Sequence, residues 1–388
     1  MNKILTVIFL SLFGVITSSQ TKVKILDEET KAPITNAKLL SNNQIYYSNE
    51  DGVFVLPEIN SLSESTIEVP FYETIHIEDL SKIKNAILLK PSYKQIEEVT
   101  ITKLDFNAFI KNLYENYNKF YNTFPHLYEA DYKEKLIING KINSLLVSDI
   151  NLYAAMNAVG MTITGNVDKY IQIGLDKVKY YKIDNSEINF KEFTNKRALS
   201  WFNGRMFLNG EFAILQFGLD KIPVKTQLIY QDETLKKFSF YSEAIAKKGA
   251  TFKGNFVVDK ESGAISHMEV EQTYDKSERT YKSSNGKMMI DTKSVVTTYD
   301  YYKKDKKFFP AKFTLTQKGT LTKDGKDQDF RRIREVIFTT GKEVASDYTL
   351  QNRMDISNKD LLFYIPNKVT KDSQNLLSTE EQLFINEQ

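Results

Sequence analysis

The chain opens with one apolar block and then settles into short alternating segments. Lys3 precedes a run from Ile4 to Ile16 broken only by Thr6, Ser11 and Gly14, and Thr17, Ser18 and Ser19 follow it. That order predicts a secretory signal peptide over residues 1–19, cut between Ser19 and Gln20. The run is too short for a membrane span, which needs ~20 apolar residues. No later stretch reaches spanning length. From residue 20 to 102 apolar residues recur every second position in brief runs: Val23 and Ile25, Ala37 and Leu39, Ile45 to Tyr47, Val53 to Leu56, Ile67 to Phe71, Ile75 and Ile77, Ile87 to Leu89, and Val99 to Ile101. The intervals hold turn residues, Asp27 to Pro33 and Asn49 to Gly52 above all. Short strands at this density predict a small β-sandwich.

The period changes at residue 105. Phe106, Phe109, Ile110, Leu113, Tyr114, Tyr117 and Phe120 recur at steps of three and four, which predicts an amphipathic helix over 105–120 with Asp105 as its N-cap. Leu136 to Ile138, Asn139-Gly140 and Ile142 onward predict a hairpin with a type I′ turn. Residues 155–224 have no clear period. Their glycine and aromatic residues either build a lid or pocket wall or pack over a sheet; Trp201, Phe202, Phe207, Phe212 and Phe217 are the candidate binding residues. Beyond 225 the alternation is strong. Hairpins are expected around Asp259 to Gly263 and Lys323 to Lys326, making an antiparallel meander that curls and needs a cover. From Asn367 the chain is a polar tail, in which Ser378-Thr379-Glu380-Glu381 can cap one short helix.

Composition narrows the chemistry. The 388 residues carry 52 Lys plus Arg against 50 Asp plus Glu, so a net charge of +2 gives no field that would attract nucleic acid. There is no cysteine, which removes disulfides, thiolate metal sites and cysteine nucleophiles. His76, His126 and His267 are the only histidines, and no phosphate-loop, dinucleotide or nucleophile-elbow spacing occurs. No cofactor or metal is expected. Asp324, Asp327 and Asp329 lack calcium-loop spacing, and Glu97-Glu98, Glu380-Glu381 and Arg331-Arg332-Arg334 are expected on solvated surfaces.

The first β segment resembles the carboxypeptidase-regulatory-like domain, a transthyretin-like β-sandwich common on secreted proteins of Gram-negative envelopes. Pro33 and Ala37 match its Pro-x-x-x-Ala, Ser48, Gly52 and Phe54 its turn, and Leu89, Ile96, Glu98, Val99 and Ile101 its closing strand. The usual Gly-Tyr is here Phe71-Tyr72, and the first-strand glycine is absent. The resemblance implies a non-catalytic module. Tyr128, Tyr132 and Glu134 resemble the opening of an uncharacterised module that often follows such a sandwich. The Gly254 to Ile265 hairpin and Phe308-Phe309-Pro310 resemble lipoprotein-carrier-like half-barrels, which implies a curved sheet and a helix around an apolar groove.

The sequence therefore predicts a mainly β protein: signal peptide 1–19, sandwich 20–102, a curved, half-barrel-like antiparallel sheet with a packed helix over 103–366, and tail 367–388. The expected role is a non-enzymatic exported envelope protein that binds a hydrophobic small molecule or an envelope protein in the concave face of its larger sheet. It would work in the periplasm, associated with the outer membrane without a span, or outside the cell. A structural or adhesive surface protein is the alternative, and a carboxylate-based carbohydrate-active enzyme a third.

Overall fold

The computed structural model describes residues 21–41, 44–56, 65–70, 72–79, 86–91, 104–155, 170–184, 207–220, 222–231, 233–245, 250–274, 280–283, 286–355, 361–365 and 377–386. The expected signal peptide over residues 1–19, Trp201, Phe202, Glu97-Glu98 and the expected Val99 to Ile101 strand lie outside them. The fold is mainly β, with one unit of two small sheets and one unit built on a large antiparallel sheet. Among the described residues no helix is long and apolar enough to cross a membrane.

The smaller unit takes Met1–Tyr93 together with Leu376–Leu383. Its strands are β1 (Thr21–Asp27), β2 (Lys38–Ser41), β3 (Gln44–Tyr47), β4 (Val53–Leu56), β5 (Ser65–Glu68), β6 (Ile75–Ile77) and β7 (Ala86–Leu89). They form a three-stranded sheet, β4-β1-β7, and a four-stranded sheet, β3-β2-β5-β6. Val23, Ile25, Phe54 and Leu89 of the first sheet share one core with Leu39 and Ile67 of the second, so the two sheets face each other as in a sandwich. Gly52 ends the Asn49 turn at φ +69, and a Cβ there would stand 2.7 Å from the Ile25 carbonyl. Only glycine suits that position.

The larger unit takes Lys94–Asn375 and Phe384–Gln388. Helix α1 (Phe106–Glu115) begins where expected, the Asp105 carboxylate accepting the Ala108 N–H at 3.0 Å. A short α2 (Tyr117–Phe120) continues it. Then come β8 (His126–Ile138), β9 (Lys141–Ala154), β10 (Ile171–Ile183), helix α3 (Leu208–Leu219), β11 (Val224–Gln231), β12 (Leu235–Ile245), β13 (Ala250–Asp259), β14 (Ile265–Tyr274), β15 (Thr280–Lys282), β16 (Met288–Lys304), β17 (Lys307–Lys323) and β18 (Lys326–Glu343). The main path of the sheet runs β10-β9-β8-β18-β17-β16-β14-β13-β12-β11, and β15 pairs with β16. Both residues of the Asn139-Gly140 turn have positive φ, as a type I′ hairpin demands.

The stretch 155–224, which lacks a sequence period, contains a 13-residue edge strand and a 12-residue helix. β10 and β11 are the two ends of the sheet yet follow one another in the chain, with α3 between them. One contiguous core holds Ile171 and Ile173 of β10, Phe238 and Phe240 of β12, and Leu208, Phe212, Leu215 and Leu219 of α3. The sheet therefore curls, and α1 and α3 cover its inner face.

Candidate functional site

The covered face is read from the register. One row crosses all ten strands: Leu228, Phe238, Phe256, Met268, Tyr299, Phe313, Val336, Tyr132, Ser148 and Val178. It is apolar except for Ser148 and the two tyrosine hydroxyls. Phe106 of α1 stacks on Phe240 at 4.5 Å, and Tyr121 meets Phe212 of α3 at 6.3 Å. The Tyr121 hydroxyl donates to the Ile265 carbonyl at 2.8 Å and accepts its N–H at 2.9 Å. Burial pushes the Tyr117, Tyr121, Tyr128 and Tyr301 hydroxyls well above their ordinary range, so they stay protonated. The apolar side chains of this face thus pack on the protein's own helices.

Two rows further along, polar groups enter the same face. Arg334 pairs in register with Glu134, and Arg332 with Gln317. The Glu134 carboxylate receives Arg332 Nε at 2.7 Å and Arg334 Nε at 3.2 Å, and the Tyr132 hydroxyl donates to it as well. Arg332 and Arg334 are 7% and 6% exposed. This corrects the expectation of a solvated basic run. Strand alternation sends Arg331 outward and places 332 and 334 beside Val336 and Phe338, where Glu134 neutralises part of their charge. A separate apolar cluster of Leu136, Ile138, Met288, Ile290, Leu321 and Phe330 lies beyond this polar layer.

Helix α3 adds to the layer from above. Leu208, Phe212, Leu215 and Leu219 pack into the core, and the Leu208 N–H donates to the Tyr301 hydroxyl at 2.9 Å. Asn107 of α1 donates to the Leu219 carbonyl at 3.1 Å and holds the other end. The buried Glu211 carboxylate accepts from Gln272 Nε2 at 3.1 Å and from the Tyr299 hydroxyl at 3.3 Å. On the other side of the helix, Asn209 is 0% exposed and neither its Nδ2 nor its Oδ1 has a partner. Gln216 Oε1 is also buried without one.

The aromatic residues singled out in the sequence part company here. Phe207 and Phe212 fill the core, while Phe217 is 75% exposed on the outward side of α3. The structure does not bring these three to one surface. Glu211, Gln272 and the Arg332–Glu134–Arg334 cluster escape sequence reasoning, because only long-range strand pairing and the passage of α3 bring them to one layer, and Asn209 on the other side of the helix escapes it too. The alternation of Arg332, Arg334, Val336 and Phe338 was the one available signal.

The opposite face carries a charged row: Asp149, Asp131, Ile337, Lys312, Asp300, His267, Val257 and Lys237, strand after strand. Lys179 bridges Asp131 at 3.0 Å and Asp149 at 2.5 Å. Burial pushes the Asp131 carboxyl up, against the opposing pull of Lys179. Among the described residues no group of three or more His, Asp or Glu gathers as metal ligands would. No protein-family model matches the chain, and no curated protein matches it.

Proposed function

We propose that the protein is a non-enzymatic, exported envelope protein of a Gram-negative bacterium whose larger unit binds a ligand or partner where α3 crosses the curled sheet. The observation that carries this reading is α3 itself. Its inner side is locked into the core, its outer side leaves Phe217 in solvent, and the Asn209 carboxamide on its flank is buried without a partner. Unpaired buried polar atoms are costly and rare, and each calls for strain, a bound water or ion, or a functional role to account for it. The described apolar side chains of the covered face share one core with α1 and α3, which favours a binding surface on the helix. The signal-like run at Ile4 to Ile16 supports export. Two sheets facing across one core, with Gly52 and Phe54 in turn and strand, support a carboxypeptidase-regulatory-like spacer.

Native mass spectrometry of residues 20–388 purified from their own envelope tests the reading. A mass excess that disappears on denaturation is expected. A bare mass would overturn ligand retention and favour the second reading, a structural or adhesive module, which the full packing of Phe207 and Phe212 supports.

A further inference from the structure

One end of the large sheet, away from the outer side of α3, gathers exposed rings and lysines. There the loop from α2 into β8 runs against the start of β17: the Asn122 N–H donates to the Phe308 carbonyl at 2.9 Å, and the His126 ring lies 5.7 Å from that of Phe309. Phe124, in that loop, is 61% exposed. Tyr170 is 38% exposed and precedes Ile171, which pairs with Ala154 as His126 does, so it stands at the same end. Tyr302 and Phe309, half-buried and stacked at 5.6 Å, complete the aromatic group. Beside it is the β16–β17 turn. Lys304, Asp305 and Lys306 are exposed, and positive φ at Asp305 and Lys306 keeps the turn tight. Lys307 Nζ donates to the carbonyls of Asn118 and, at 2.8 Å, Lys119 at the end of α2, which ties the turn to the base of the loop. Lys303 is neutralised by Glu261 at 2.5 Å and Asp259 at 3.4 Å. Among the described residues Lys119, Lys304 and Lys306 make no ion pair, and Lys307 meets neutral carbonyls. Within this turn and its tether, four lysines thus stand against one carboxylate, that of Asp305.

The chemistry of this end selects its occupant. Phe124 and Tyr170 together expose about 200 Å² of ring surface. A stable protein partner covers about 800 Å² on each side, with an apolar centre, and no such area surrounds them among the described residues. A bilayer surface asks for less: a few rings at headgroup depth and flexible cations that reach the phosphates. We propose that this end of the larger unit seats on an anionic lipid surface, with Phe124 and Tyr170 in the headgroup layer and Lys119, Lys304, Lys306 and Lys307 on lipid phosphates. Each lysine near such a surface adds to the attraction, and salt screens it. The surface is separate from α3 and stands whether or not α3 binds anything.

The test is flotation of the full exported chain with vesicles of phosphatidylethanolamine and phosphatidylglycerol, against vesicles of phosphatidylcholine alone. Binding to the anionic vesicles that falls with added salt is expected. Lys304→Gln with Lys306→Gln should weaken it about thirtyfold, and Phe124→Ser about tenfold, all at exposed positions that leave the thermal midpoint unchanged. Lys318→Gln with Arg331→Gln removes the same charge from exposed positions elsewhere on the sheet and should leave binding within about twofold. Because the chain has no cysteine, Phe124→Cys and Phe217→Cys each accept one polarity-sensitive dye, and only the dye at 124 should shift on vesicles. No binding to anionic vesicles at low salt, equal losses in the control pair, or a shift at 217 alone overturns the inference. Retention by polyglutamate and not by vesicles overturns the lipid class.

Discussion

Glu335 lies on the charged face between Lys312, at 2.5 Å, and Lys133, at 3.7 Å. Burial pushes its carboxyl up, but Lys312, Lys133 and Lys135 outweigh burial and hold it down at about 2. In the unfolded chain it titrates near ~4.3. Its contribution to stability is therefore complete above about pH 5, declines as the pH falls below that, and is gone by about pH 2. Glu335→Gln should flatten that acid limb and cost about 3 kcal/mol at neutral pH, as denaturant titrations across the range would show. Lys237 has the opposite sign. It is 2% exposed, and burial pulls its ammonium down to about 7, against a smaller upward pull from Glu269. The unfolded chain keeps that proton to about pH 10, so it binds more protons than the fold between about 7 and 10. Stability should rise with pH across that window. Lys237→Met should remove the rise and stabilise the fold at pH 7 by roughly 1–3 kcal/mol, read from chemical unfolding at both ends of the window.

Elements that carry their own local code were legible. The Asp105 cap and the stripe from Phe106 to Phe120 mark α1 and α2, Asn139-Gly140 the β8–β9 turn, and Asp259 to Gly263 the β13–β14 turn. Two elements were not. β10 has Gly174 and four charged residues within its length, and α3 has glycines at 210 and 218 and apolar residues on several sides, so neither shows a clean period. The strands β16 to β18 are also longer than their apolar alternation suggests, because Thr292, Gln317, Arg332 and Arg334 interrupt the pattern on the covered face. The candidate site depends on those interruptions and on α3, which is why little of it could be read from sequence. Gly254, by contrast, was legible as part of a motif, and its register gives the reason. A Cβ there would stand 2.0 Å from the Glu269 carbonyl and 2.8 Å from the Phe240 ring. Gly254→Ala should cost about 1–3 kcal/mol through overpacking, detectable as a lower thermal midpoint with an unchanged circular dichroism spectrum.

At the scale of the molecule, the two compact units interleave along the chain. The smaller unit ends near Tyr93 and takes back Leu376–Leu383. Helix α4 (Thr379–Asn386) starts there on a capping box: Ser378 N–H donates to Glu381 Oε2 at 3.0 Å, and Glu381 N–H to Ser378 Oγ at 3.3 Å. Glu381 is buried, contrary to the expectation of a solvated pair, because its carboxylate is committed to that cap. Asp51, in the turn between β3 and β4, accepts the Thr379 N–H at 2.7 Å and its hydroxyl at 2.9 Å, and Asn49 donates to the Leu377 carbonyl at 3.3 Å. Asp51→Ala should lower the stability of the smaller unit by about 1 kcal/mol, visible as faster hydrogen exchange in β1 and β4 and not in β16 to β18.

The bond from Asp51 to Thr379 spans 328 residues of sequence. Strands β1 to β7 leave the ribosome first, yet the piece that completes their unit is made after the whole large sheet. At ~5–20 residues per second, the early strands wait tens of seconds for it. A chain cut short anywhere between Lys94 and Asn375 would lack Thr379 and with it both bonds to Asp51.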